Sequence, residues 1–170
     1  MRGSGMKEKI RLIITGGTFD KEYDELQGNL TFKDSHITEI LKYVRITIPV
    51  TVEICHMKDS LFMDDTDREH ILNSCKASEQ DTIIIIHGTD TMTKTTELLG
   101  KSSTGKTIIL TGAMVPYSIR NSDAMFNLGA AVSSVQLLEP GVYICMNGTV
   151  FPWSNVRKNT KLGVFEKINP

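Results

Sequence analysis

The chain has 170 residues, with 19 lysines and arginines against 20 aspartates and glutamates, for a formal charge of −1 at pH 7. That length fits one domain with its own core, and the balanced charge, free of any basic run, excludes nucleic acid as an expected partner. The uninterrupted apolar run from Ile83 to Ile86 is too short to cross a bilayer, so a membrane is not an expected partner either.

The predicted elements alternate along the chain. Ile10–Ile14 is a short apolar strand. Ser35 is placed to cap a helix in which Ile37, Ile40, Leu41 and Val44 recur at helical spacing, with Glu39 in its early turns. The segment Val50–Met57 alternates as a strand does, with Val50, Val52, Ile54 and His56 on one side and Thr51, Glu53, Cys55 and Met57 on the other. Asp65 or Thr66 opens a helix carrying Ile71, Leu72 and Cys75. Thr82–Ile86 is a β-branched run suited to a strand buried on both faces. Met92–Leu99 reads as a short helix and Thr107–Leu110 as another buried strand. Ser122–Leu138 is the longest helical pattern, with Phe126, Leu128, Ala131, Val132 and Val135 turned to a core. Glu139-Pro140-Gly141 stops it, and Val142–Met146 returns as a strand.

Strand–helix repetition of this kind predicts an α/β fold: a doubly wound, open parallel sheet in three α/β/α layers, Rossmann- or flavodoxin-like, with right-handed crossovers. Ligands of such sheets bind beyond the carboxyl ends of the strands. Polar, glycine-rich segments follow each predicted strand: Thr15-Gly16-Gly17-Thr18, Lys58-Asp59-Ser60, His87-Gly88-Thr89-Asp90-Thr91, Thr111-Gly112-Ala113-Met114 and Asn147-Gly148-Thr149. Glycine lets a backbone approach a ligand closely, and a threonine hydroxyl becomes a nucleophile when a neighbour takes its proton. Each loop alone also has a plain structural reading. Gly-Gly-Thr is a common turn, Asp90 suits the N-cap of the following helix, Ser60 beside Asp59 suits a turn, and Lys158 suits a solvated surface. His87 reads as a hydrogen-bonded strand-end residue, and Tyr23 between Glu22 and Asp24 as a loop residue.

Cys55, Cys75 and Cys145 are odd in number, widely spaced and not at zinc-ligand distance from any of His36, His56, His70 and His87. Free thiols in a reducing compartment follow, so no metal is expected and the cytoplasm is the expected location. Residues 1–5 read as an artificial leader before a domain running from Met6 to Pro170.

Taken together, the Thr15–Thr18, His87–Thr91 and Thr111–Met114 segments, with Lys58-Asp59-Ser60 before Met63, Asp123 before Phe126-Asn127-Leu128, and the late Lys158, resemble the bacterial-type L-asparaginase family from about Ile10 to about Thr160. The resemblance implies an amidohydrolase that converts L-asparagine to L-aspartate and ammonia, with a possible glutaminase side activity and no cofactor. It implies Thr18 as nucleophile, Tyr23 as its assistant, and Thr89, Asp90 and Lys158 as a second polar group. Asp59, Ser60, Gly88 and Ala113 are implied around the substrate, Ser60 on its α-carboxylate. The sequence departs from the family pattern at Val115, where an arginine is common. The family's second, C-terminal domain is not expected within these 170 residues, so the chain reads as a short member or an isolated domain. A non-catalytic or regulatory binding module that keeps the fold is the alternative function, which the joint presence of Thr18, Thr89, Asp90 and Lys158 disfavours. Surplus apolar residues on Ser122–Leu138 point to a homo-oligomer, dimer or tetramer, although burial within the same chain accounts for them equally well.

Overall fold

The computed structural model describes residues 9–169. The leader at 1–5 lies outside the described residues. A six-stranded sheet dominates, formed by β1 (Ile10–Gly16), β4 (Val50–Lys58), β5 (Thr82–Ile86), β6 (Thr107–Thr111), β7 (Gly141–Met146) and β8 (Thr149–Pro152). Two small antiparallel hairpins stand apart from it: β2 (Lys21–Asp24) with β3 (Asn29–Phe32), and β9 (Arg157–Asn159) with β10 (Val164–Glu166). The helices are α1 (Ile37–Tyr43), α2 (Asp65–Ala77), α3 (Met92–Lys101) and α4 (Ala124–Leu137).

Sheet order is β4-β1-β5-β6-β7-β8. The first five strands are parallel and β8 runs antiparallel to β7. This is the doubly wound sheet expected, with one antiparallel edge strand added. Side chains along the central strands alternate between two cores: Ile83 and Ile85 face one, Ile84 and Ile86 the other. Helices α2 and α3 cover the first core through Ile71, Leu72, Cys75, Met92 and Leu99. On the opposite face, α1 and α4 cover the second through Ile37, Ile40, Ala124, Leu128, Ala131 and Val135. The strands need continuous apolar sequence because neither face meets water.

Several local expectations are corrected. Strand β4 does not alternate to its end. Ile14 pairs with Ile54 but Gly16 with Lys58, so β4 holds two surplus residues across this irregularity. Met57 consequently packs with Val50 and Val52 rather than with Cys55, and Ile54 is left 59% exposed. Helix α1 is capped at His36, with the Ser35 hydroxyl accepting from the Ile37 N–H at 3.3 Å, and it ends before Val44. Helix α2, by contrast, starts at Asp65, one of the two starts expected, under a reciprocal capping box between Asp64 and Asp67. Helix α4 starts at Ala124, and Phe126 points outward at 63% exposure instead of into the core. Asn147-Gly148 is not an open rim loop. Both residues have positive φ, 56° and 73°, and form the two-residue turn that folds β8 back onto β7.

Candidate active site

The chain turns from β1 to β4 on one side and reaches β5 on the other, so the strand order reverses between β1 and β5. Loops at such a switch point splay apart and leave a crevice at the carboxyl ends of the strands. The two threonine loops sit there. Thr15, fully buried, donates its hydroxyl to the Ile86 carbonyl at 2.8 Å and ties the end of β1 to the end of β5. Gly16 and Gly17 then take φ of 96° and 81°. A Cβ on Gly17 would lie 2.4 Å from the Gly88 Cα, so the two loops touch glycine to glycine. Thr18 follows at once, half-buried, at the start of the 3-10 turn Thr18–Asp20.

On the other wall Thr89 is 5% exposed. Lys158, carried on β9, brings its ammonium to 2.8 Å from Thr89 Oγ1 and 2.6 Å from Asp90 Oδ1. These residues are 69 and 68 positions from Lys158 in sequence, and the β9–β10 hairpin delivers the lysine to them. The Thr89 hydroxyl in turn faces Met114 Sδ at 3.6 Å. Asp90 therefore does not cap α3: the cap residue is Thr91, without a side-chain cap bond. His87 is wholly buried, bonded through Nδ1 to the Gly88 carbonyl at 2.7 Å and through Nε2 to the Thr95 hydroxyl at 2.8 Å. Burial pulls its pKa down to about 4. It is a neutral brace beneath the loop, as the strand-end reading expects.

Residues 9–169 match the family model for the N-terminal asparaginase domain. L-asparaginase 1 of Escherichia coli (strain K12) is 33% identical over 132 residues, covering 72% of this chain and 38% of its own length. The glutaminase-asparaginase of Pseudomonas fluorescens biotype A is 34% identical over 174 residues, covering 92% of this chain and 48% of its own length. The thermostable L-asparaginase from Thermococcus kodakarensis superposes with a TM-score of 0.79 at 26% identity, over 95% of this chain and 52% of that one. The chain belongs to the asparaginase family. It spans about half the length of these relatives or less.

For a chain of this family, the remaining expected residues fall into two groups. Ser60, Gly88 and Ala113 converge on the same rim. A Cβ on Gly88 would lie 2.5 Å from Ser60 Oγ, and Ser60 Oγ accepts the Thr91 N–H at 3.3 Å. Ala113 is buried at the end of β6, in the loop that Asp123 holds by accepting the N–H groups of Met114 and Val115. Asp59 and Tyr23 stand differently. Both oxygens of Asp59 are engaged: Oδ1 accepts from the Leu61 N–H at 3.0 Å, and Oδ2 pairs with Lys21 at 2.5 Å. Burial alone would raise its pKa, but the Lys21 bond and the Leu61 N–H outweigh it and hold the carboxyl below the usual range. Tyr23 is 60% exposed on the β2–β3 hairpin.

Sequence reasoning missed Lys21. It lies three residues after Thr18, stacks over the Phe32 ring at 5.6 Å and links the hairpin to the Ser60 loop. The Ser118 hydroxyl donates to the Lys21 carbonyl at 2.9 Å and fixes the same hairpin from the other side. No local pattern marks such a lysine, because its partner lies 38 positions away. Among the described residues, no group of three or more His, Cys, Asp or Glu side chains is arranged to hold a metal ion. No described helix is long and apolar enough to cross a membrane.

Proposed function

We propose that the chain hydrolyses the side-chain amide of L-asparagine, with glutamine as a secondary substrate, through an acyl ester on Thr18. The observation that carries this reading is the Lys158–Thr89–Asp90 cluster, placed against the loop that bears Thr18. A threonine hydroxyl is a weak nucleophile until a neighbour relieves it of its proton. The Lys158 ammonium holds the Thr89 hydroxyl and the Asp90 carboxylate together, and in this reading the cluster takes the Thr18 proton and returns it to the departing nitrogen. Tyr23, on the hairpin three residues beyond the turn, is the residue assigned to assist the Thr18 hydroxyl.

Thr18 Oγ attacks the amide carbon, and the tetrahedral oxyanion is met by backbone amides of the Gly88–Thr89 turn. The C–N bond breaks, ammonia leaves with the transferred proton, and water cleaves the ester to release aspartate. Ser60 holds the substrate carboxylate. The protein works in the cytoplasm as a closed homo-oligomer, in keeping with its free thiols and with the outward Phe126 and Leu137. Ammonia release from asparagine and glutamine tests the reading. Thr18→Ala should lower turnover on the order of 10³-fold or more while the melting temperature stays within a degree or two of wild type. Equal turnover in the two proteins would refute Thr18 as nucleophile. Aspartate and asparagine binding without turnover would instead establish a binding module.

A further inference from the structure

Arg68 is the one cation of α2 that faces inward. It is 7% exposed and sits on the same helical stripe as Ile71, Leu72 and Cys75, which pack into the core. Burying a guanidinium costs several kcal/mol unless its hydrogens find acceptors, and its nearest carboxylate, Asp65 Oδ1, is 3.7 Å away on an exposed side chain. The acceptors it does find are not random. Nη1 donates to the Met63 carbonyl at 3.0 Å, and Nη2 donates to the Thr91 hydroxyl at 3.2 Å. That hydroxyl passes its own hydrogen to the Ser60 carbonyl at 2.8 Å, while the Thr91 N–H donates to Ser60 Oγ at 3.3 Å.

One guanidinium thus spans both ends of the Ser60–Met63 turn and joins that turn to the residue next to Asp90. Its Nε, also buried, finds no partner among the described residues. A buried charge with one nitrogen left without an acceptor is a poor device for stability alone. A cation donating to Thr91 does strengthen the bond Thr91 gives onward. We infer that Arg68 is a positioning residue, which through Thr91 sets the Ser60 hydroxyl against the Thr89–Asp90 loop.

This rests on the amidohydrolase reading for its kinetic consequence, but not for its mechanical one. Arg68 holds the Ser60–Met63 turn directly at Met63 and reaches its Ser60 end through Thr91 of the Thr89 loop. Loosening it should therefore weaken ground-state substrate binding more than the chemical step. In Arg68→Met, KM for asparagine should rise about tenfold or more, the loss expected for a charge-assisted hydrogen bond, with a smaller change in kcat. Thr91→Val, which keeps the arginine, should reproduce the effect, and Thr91→Ser, which keeps the hydroxyl, should restore wild-type KM. The double variant Arg68→Met/Thr91→Val should be no worse than the worse single one, because both break the same chain.

Amide hydrogen exchange supplies the second arm. In Arg68→Met and Thr91→Val, exchange should quicken at residues 60–63 and 89–91 while the central strands keep their protection. A residue with only a general packing role would speed exchange throughout. Unchanged KM in an active enzyme, additive effects in the double variant, or unchanged exchange at these loops would each overturn the assignment. If the wild-type chain releases no ammonia from either amide, the amidohydrolase reading fails, and the exchange arm still decides whether Arg68 ties the two loops.

Discussion

Gly17 bears the contact that seats the Thr18 loop on the Thr89 loop, and Gly17→Ala turns that into a number. Its φ of 81° and ψ of −177° fall in a region that side-chain-bearing residues scarcely enter. An added Cβ would lie 2.4 Å from both the N and Cα of Gly88 and 2.9 Å from the carbonyl carbon of His87. These are backbone atoms at the end of a buried strand, so no side chain can rotate out of the way. Backbone strain and overpacking together come to about 4 kcal/mol, which for a chain of this size lowers the melting temperature by about 8–16 °C. Relief by sliding the Thr18 loop off Gly88 would spare stability at the expense of chemistry, since a displacement of about 1 Å costs on the order of 100-fold in rate. Calorimetry and ammonia release, measured on the same preparation, follow both routes. Gly129→Ala is the control: it lies in α4 with no atom of the other described residues within 4 Å of the new methyl, so it should be neutral or stabilise by up to about 1 kcal/mol. A Gly17→Ala protein with wild-type melting and wild-type turnover would refute the glycine-on-glycine contact.

Lys158→Met and Asp90→Asn should each lower kcat, and the double variant should fall little further, because both changes dismantle one cluster; multiplicative losses in a double-mutant cycle would separate their roles. His87, neutral by burial with a pKa near 4 against about 6.5 when unfolded, gives stability that is full above about pH 6.5 and is lost as pH falls toward 4, by up to roughly 3 kcal/mol. Urea midpoints across that window should show the decline, and His87→Gln should flatten it. Burial raises the thiols of Cys75 and Cys55 to about 12 and about 11, so neither should be alkylated at pH 8 until urea unfolds the chain; rapid native-state labelling at Cys75 would contradict its placement in the core.

The fold was legible where one physical demand acted along several residues. Thr82–Ile86 and Thr107–Leu110 read as doubly buried strands because no polar side chain interrupts them, and both are fully buried in the sheet. Edges and hairpins were not legible in this way. Strand β8 has one buried residue in four, and the β2–β3 hairpin has none, so neither carries an apolar pattern long enough to stand out. The β7–β8 turn did carry a signal: Asn147-Gly148 is the pair that most readily takes two successive positive φ values, and that local rule was overridden by the expectation of a rim loop. Spacing without topology misleads in the other direction. Gly100 to Thr107 spells G-x-x-x-x-G-K-T, the pattern of a phosphate-cradling loop. Here the segment leaves a helix and enters a strand, the reverse of that motif, and Lys106 Nζ is held by the carbonyls of Ser78 and Gln80 at 2.8 and 3.0 Å.

The site divides along the same physical line. The loops bearing Thr18, Ser60 and Thr89 were found from the rule that ligands meet a doubly wound sheet at its strand ends, because each lies within a few residues of its own strand. Lys158 was reached only by resemblance: its strand belongs to a hairpin outside the main sheet, and no periodicity connects it with Asp90. Arg68 was legible in principle. Positions 68, 71, 72 and 75 share one helical stripe, and a charge at the head of an otherwise apolar stripe must either reach solvent along its stem or be met by acceptors inside. At 7% exposure it takes the second course. Acceptors able to meet a guanidinium inside a three-layer α/β fold are scarce, since the carbonyls of strands and helices are already spent on each other. They remain at the ends of strands, where the backbone leaves the sheet, and that is also where the ligand crevice opens. An inward-facing arginine on a covering helix therefore points, by its own need for acceptors, at the loops that build the site.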